Sequence, residues 1–276
     1  MNKKKGIFLM LLSTFSFSCM SICVKLTANE VTINQQMFFR NLISLIIMFP
    51  YIGKTSNQIK EIKNNIVSLC LRSVFGICAV YTLFKATSIG LQGIVSAINK
   101  LSPLFVIMLS SMVMKEKVTG RIYLAIIISI IGIVFILPDF TLNDIKAILF
   151  ALLSAFFNGC AYTVLGYLKG KVSPKLVVLF FSAFTCLFFL PTIIKTNIIF
   201  SFETIAGIIG IGVFAAIGQI CVTMSYQVAS VSDVALYENW GTFFSIILSY
   251  LIFREQYNLR MLIGTIFLVL SSVLVG

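Results

Sequence analysis

LSPLFVIMLSSMVMKEKVTGR, residues 101–121, aligns without a gap on WGTFFSIILSYLIFREQYNLR, residues 240–260, at an offset of 139 positions. Two long apolar runs resemble each other by composition alone, but these two share more. Each ends in a glutamate (Glu116, Glu255) followed five positions later by an arginine (Arg121, Arg260). A second match points the same way. LLSTFSFSC at 11–19 resembles LLSAFFNGC at 152–160, and that offset of 141 also sets Phe39 on Phe180, Pro50 on Pro191 and Lys54 on Lys195. The chain therefore reads as two copies of one unit, residues 1–140 and 141–276.

Composition says where such a unit lives. Of 276 residues, 59% are hydrophobic and 11% charged, against about 25% charged in a soluble domain. A membrane-crossing helix needs about 20 mostly apolar residues. Ten such segments follow one another: 6–26, 33–52, 66–86, 91–114, 121–138, 145–167, 174–194, 203–226, 232–253 and 259–275. The expected fold is an all-α membrane protein of ten transmembrane helices. Five spans per half is an odd number, so the second copy enters from the opposite side, giving two inverted five-helix repeats. The first segment has a basic start like a secretory signal. Its apolar run continues to Val24 with no small-residue cleavage site, so it reads as a retained span.

The net charge of +12 does not point to nucleic acid, because the basic residues are scattered between apolar runs rather than gathered on one helix. Their distribution sets topology instead. With the N-terminus inside, the cytoplasmic loops receive Lys3, Lys4, Lys5, Lys54, Lys60, Lys63, Lys115, Lys117, Arg121, Lys169, Lys171 and Lys175. The outer loops keep Lys146, Lys195, Arg254 and Arg260. Both termini are expected in the cytoplasm of a multi-pass protein of the cell (inner) membrane. The chain has no histidine, which removes the commonest general base and metal ligand. Its seven cysteines lie in apolar runs without a Cys-x-x-Cys pair and read as packing residues. No metal site, cofactor or Walker-type nucleotide loop is expected.

An ionisable side chain inside a span is costly and faces a bundle interior or a wet cavity. Asn99 and Lys100 of the fourth segment correspond, at the offset of 139, to Glu238 and Asn239 of the ninth. Counting helical rise from the two faces leaves Lys100 and Glu238 about 10 Å apart along the membrane normal. A direct pair and a gap bridged by a solute are both compatible with that. Pro103 removes the hydrogen bond to the Asn99 carbonyl and predicts a kink; Thr242 in the second copy makes the break one-sided. Arg40, in FFRNL, either snorkels to the outer surface or offers a planar fork for carboxylate or phosphate, with Phe181 at its repeat position. Arg72 and Lys85 read as interfacial anchors. Tyr162, Tyr237 and Trp240 either wall a pocket or pack; Glu116 and Glu255 read as helix ends.

The first-span lysine followed by an arginine early in the second span (Lys25, Arg40), YTLFKATSIG at 81–90 and SPLFVIMLSSMVMKEK at 102–117 resemble the EamA-type carriers of the drug/metabolite transporter superfamily. So do their counterparts MSYQVASVSDVALYENW at 224–240 and IFREQ at 252–256. The resemblance covers the whole chain and implies a five-plus-five fold and transport of a small metabolite, without naming which one. The charges suit an amino acid or amino-acid-like zwitterion. Arg40 and Lys100 would hold its carboxylate, Glu238 its ammonium or a coupling proton, and Asn99, Tyr162, Tyr237, Asn239 and Trp240 would complete the site. An S-adenosylmethionine or nucleotide-like solute is the alternative, since some members carrying S-adenosylmethionine show a similar arginine and Tyr-x-Glu-like stretch. The expected partners are the solute, the lipid bilayer and, for oligomers, a second copy in a homodimer. An intramembrane enzyme would need paired acids or a metal, and a non-transporting scaffold or sensor would show no saturable flux.

Overall fold

A computed structural model describes residues 2–51, 56–90, 92–115, 118–136, 142–194, 201–254 and 257–274, and among these there is no β-strand. Glu116 and Glu255, expected to end helices, lie outside the described residues, as do Lys54, Lys117 and Lys195.

The first half begins with α1 (Lys3–Thr27), whose first turn is capped by Asn2 through its side chain to the Lys5 N–H at 3.1 Å. α2 (Ile33–Met48) opens with a reciprocal cap between Thr32 and Gln35 and runs into a 3-10 turn at Phe49–Tyr51. A short polar helix, α3 (Ser56–Asn64), was not anticipated. After it come α4 (Ile66–Ile89), α5 (Gln92–Asn99), α6 (Ser102–Met114) and α7 (Gly120–Ile136). The second half holds α8 (Leu142–Tyr167), α9 (Pro174–Ile194), α10 (Phe202–Val228), α11 (Val231–Val234), a 3-10 segment (Ala235–Asn239), α12 (Trp240–Phe253) and α13 (Leu259–Val273). Six helical runs among the described residues are long and apolar enough to cross a membrane: α1, α4, Ile94–Met114, Ile145–Tyr167, α9 and α10. α7 and α13 are shorter apolar helices. Large side chains such as Leu187, Met112 and Val134 are exposed on their outer faces, as expected where lipid is the solvent. The chain is a multi-pass membrane protein.

Helices in lipid gain little from hiding apolar surface, so they associate through close packing and polar ties. α1 and α10 show both. They run antiparallel, with Ser225 donating to the Gly6 carbonyl at 2.7 Å and Ser13 to the Gly218 carbonyl at 2.8 Å. A Cβ on Gly210 would stand 2.8 Å from the Cys23 sulfur and one on Gly218 would stand 2.7 Å from Phe17. Other buried hydroxyls, such as Thr185 and Thr223, bond the carbonyl four residues back in their own helix and need no neighbour.

The neighbours follow a rule. α1 packs on α10 and α4 on α8; α6 packs on α8 and α12 on α1; α2 packs on α9 and α7 on α13. Exchanging α1, α2, α4, α6 and α7 with α8, α9, α10, α12 and α13 leaves this set unchanged. α7 and α13, equivalent under that exchange, cross antiparallel. Ser129 donates to Ser271 at 2.8 Å, Phe135 meets Phe267, and between them Gly132 and Gly264 bring backbone against backbone.

Candidate functional site

The segment expected as one fourth span is two helices. α5 stops at Asn99, a turn covers Lys100 and Leu101, and α6 starts at Ser102. Pro103 is therefore not a kink inside a helix. It lies in the first turn of a new one, where its missing N–H removes no intrahelical bond. The second half is broken at the equivalent place without a proline, contrary to the one-sided expectation. Ala229 is extended at the end of α10, α11 lasts four residues, and Ala235–Asn239 is wound as a 3-10 helix before α12 starts at Trp240.

A broken segment inside a membrane must find partners for its backbone. Here Lys100 supplies one such partner, and the side chains of Asn239 and Asn99 tie the two breaks to neighbouring helices. The Lys100 ammonium donates to the Glu238 backbone carbonyl at 3.0 Å. The Asn239 amide donates to Ser271 Oγ at 3.1 Å, Ser129 Oγ at 3.3 Å and the Leu268 carbonyl at 3.4 Å, pinning the segment to the α7–α13 crossing. Asn99 donates to Ser154 Oγ at 2.8 Å, and Ser154 passes the tie to the Ala79 carbonyl of α4 at 2.9 Å. The separation of about 10 Å counted from straight helices is thus closed, because neither helix is straight and the lysine stem adds reach. Lys100 nonetheless meets the backbone of Glu238, not its carboxylate. Glu238 Oε2 is buried with no partner among the described residues.

Between the two breaks lies a cavity of about 100 Å³ with walls from both halves. Arg40, Asn99, Lys100, Tyr162 and Glu238 of the expected site all line it. Tyr237, Asn239 and Trp240 do not. Tyr237 packs in the hydrophobic core, Asn239 is turned to α13, and the Trp240 indole donates to Ser272 at 3.0 Å while its ring packs on Phe243 and Phe244.

Arg40, on α2, is 2% exposed and does not snorkel to the surface. Among the described residues its guanidinium donates from Nε to the Met20 sulfur at 3.4 Å and, at a long 3.4 Å, to Asn41 Oδ1, and it stands 5.9 Å from the Phe181 ring centre. Arg72, expected as an interfacial anchor, is also in the wall. It is 3% exposed, 4.8 Å from the same Phe181 ring and 6.0 Å from the Tyr162 ring. Depth could not have revealed this. Arg72 lies two turns into α4, where an arginine can equally reach back to water, and its direction toward α9 is set by packing. Asn158, Gln219 and Ser245 add to the polar lining, beside hydroxyls of α1, α4 and α5 such as Ser18, Thr87 and Ser96. The first three are uncharged residues on three different helices, and no sequence pattern joins them. Glu238 is the one carboxylate among the described lining residues, against Arg40, Arg72 and Lys100.

A larger cavity of about 640 Å³ opens at the C-terminal end of α1. It is bounded by Lys25, Phe84 and Phe253 and shares Thr87 with the central one. Lys25 stands 4.6 Å over the Phe253 ring.

The family model described as the EamA-like transporter family matches residues 4–137 and again 145–276. Pseudopaline exporter CntI of Pseudomonas aeruginosa is 22% identical over 272 residues, covering 98% of this chain and 95% of the relative. An uncharacterized transporter of Helicobacter pylori (strain J99) is 24% identical over 258 residues, 88% of this chain and 86% of that protein. A solved crystal structure superposes with a TM-score of 0.76 over 99% of this chain and 96% of the other at 11% identity, a likeness of fold alone.

Proposed function

The chain belongs to the EamA-like transporter family, and we propose that it is a secondary carrier of an amino acid or amino-acid-like zwitterion. In this reading the two halves are inverted repeats of five spans, both termini are cytoplasmic, and the central cavity faces the two sides of the cell membrane in turn. The antiparallel crossing of the equivalent helices α7 and α13 supports the inversion. The observation that carries the reading is the cavity itself. Opposite charges from the two halves line it, and Glu238 Oε2 and two nitrogens of Arg72 are buried without hydrogen-bond partners among the described residues.

Unpaired buried charges are costly unless something compensates them. A zwitterion does so at both ends, its carboxylate toward the cationic side chains and its ammonium, or a proton exchanged for it, at Glu238. The relative named as an exporter makes export the direction to examine first. The experiment is counterflow of labelled amino acids in proteoliposomes across pH, with native protein and Glu238→Gln. Saturable counterflow of an amino acid is expected, with the variant inactive or its pH dependence flattened. Absence of any amino-acid counterflow, or an unchanged pH profile in the variant, would refute it.

A further inference from the structure

Resting on the zwitterion reading above, we infer that the solute carries a second acid group, held between Arg40 and Arg72 against Phe181. A simple zwitterion neutralises itself, and its two charges would leave the lining as it is, with three cations and one carboxylate. The two guanidiniums come from different helices, α2 and α4, and converge on one ring of α9. Neither has a carboxylate within 4.0 Å among the described residues. Nε and Nη1 of Arg72 are buried with no acceptor, and the acceptors of Arg40 are a thioether and a distant amide oxygen.

Two like charges around one ring in an apolar interior repel each other and favour an anion that meets both. Guanidinium groups bind carboxylate and phosphate oxygens with several parallel donors, which ammonium cannot do. Lys100 is already engaged by the Glu238 carbonyl. The arrangement therefore has one place for the amino-acid group, near Lys100 and Glu238, and another for an anion at the arginines. The solute class is an amino acid whose side chain ends in a carboxylate or phosphate. Gly76 belongs to this subsite: a Cβ there would collide with Arg72 Nη1 and with the Phe181 ring, so the glycine lets the guanidinium lie flat against α4.

The test is binding to the purified protein in nanodiscs, with L-glutamate, L-glutamine and O-phospho-L-serine as probes. Native protein should bind glutamate about tenfold or more tighter than glutamine, as one charge-assisted contact supplies. Arg72→Gln should erase that preference by weakening glutamate binding more than glutamine binding, and Arg72→Lys should keep part of it. Tighter binding of phosphoserine than of glutamate would also support the subsite and assign phosphate as its anion. Where Arg72→Gln does not fold, Gly76→Ala serves, and it should narrow the glutamate preference. Binding of neutral amino acids with no acid preference, or a preference untouched by these variants, would overturn the inference and leave the carrier reading standing. Failure of every amino acid to bind would overturn both.

Discussion

Replacing Gly241 by alanine tests whether Lys100 holds the two breaks together. A Cβ at this position would lie 2.8 Å from Lys100 Nζ, 3.7 Å from its Cε and 3.5 Å from Thr14 Cβ. The last two are ordinary contacts. Only the ammonium must move, by about 0.6 Å to reach normal van der Waals distance. If it retreats along its hydrogen bond to the Glu238 carbonyl, now 3.0 Å, that bond lengthens to about 3.6 Å and ceases to be one. A hydrogen bond to a charged group contributes about 1.5–3 kcal/mol. Against this, alanine in the first turn of α12 gains about 1 kcal/mol of helix propensity over glycine. The net loss is about 0.5–2 kcal/mol. At about 2–4 °C per kcal/mol, the apparent Tm should fall by about 1–8 °C, read by circular dichroism in detergent at one fixed scan rate. The sign should reverse in a Lys100→Met background. There the tip is one atom shorter and uncharged, so the alanine should gain its propensity with nothing displaced. Equal effects of Gly241→Ala in both backgrounds would refute the reasoning, because they would place the collision somewhere other than Lys100.

Gly264→Val probes the α7–α13 crossing. A Cβ at Gly264 already stands 2.5 Å from the Gly132 carbonyl oxygen and 2.5 Å from Ile136 Cγ1. Backbone cannot step aside as a side chain can, so a loss of about 1–3 kcal/mol is expected as a lowered apparent Tm; an unchanged Tm would mean the helices do not cross there. Outside the membrane-spanning segments, Glu30 in the turn between α1 and α2 accepts hydrogen bonds from the Thr204 and Ser201 hydroxyls at the start of α10. The Thr204 bond, then the Ser201 bond, hold its carboxyl below the usual carboxylate range. A lowered native value means its contribution is present above the unfolded range, about pH 4.3, and lost as pH falls through the native value. The Tm advantage of native protein over Glu30→Gln should therefore be small, since the group is exposed, and should vanish on acidification; an advantage that grows with acid would contradict the bonding.

Much of the site was legible because polar groups in an apolar run stand out. Arg40, Asn99, Lys100 and Glu238 were marked by the cost of placing them in a span, Tyr162 only as a ring that could wall a pocket or pack, and all five line the cavity. Residues adjacent to them were not separable in the same way. Tyr237, Glu238 and Asn239 are consecutive on a 3-10 turn, so they point about 120° apart. One reaches the cavity, one the core and one the α7–α13 crossing. Arg72 was misplaced for a related reason, since its position along α4 fits an anchor and a wall residue equally. The break before α12 carries no proline. It is held by Lys100 and Asn239, whose partners are remote in sequence.

Sequence alone determined which stretches are apolar enough to prefer the membrane, because the transfer of each residue from water to oil depends on that residue and its near neighbours along the chain. It also exposed the duplicated halves, since a repeat is itself a property of order. Tertiary structure decided which face of each helix meets which other. In lipid no difference in hydrophobicity separates the inside of the bundle from its surroundings, so small residues such as Gly210, Gly218, Gly132 and Gly264 and ties such as Lys100 to Glu238 select the neighbours. That selection turned two separated arginines toward one phenylalanine, which no reading of their positions along the chain could supply.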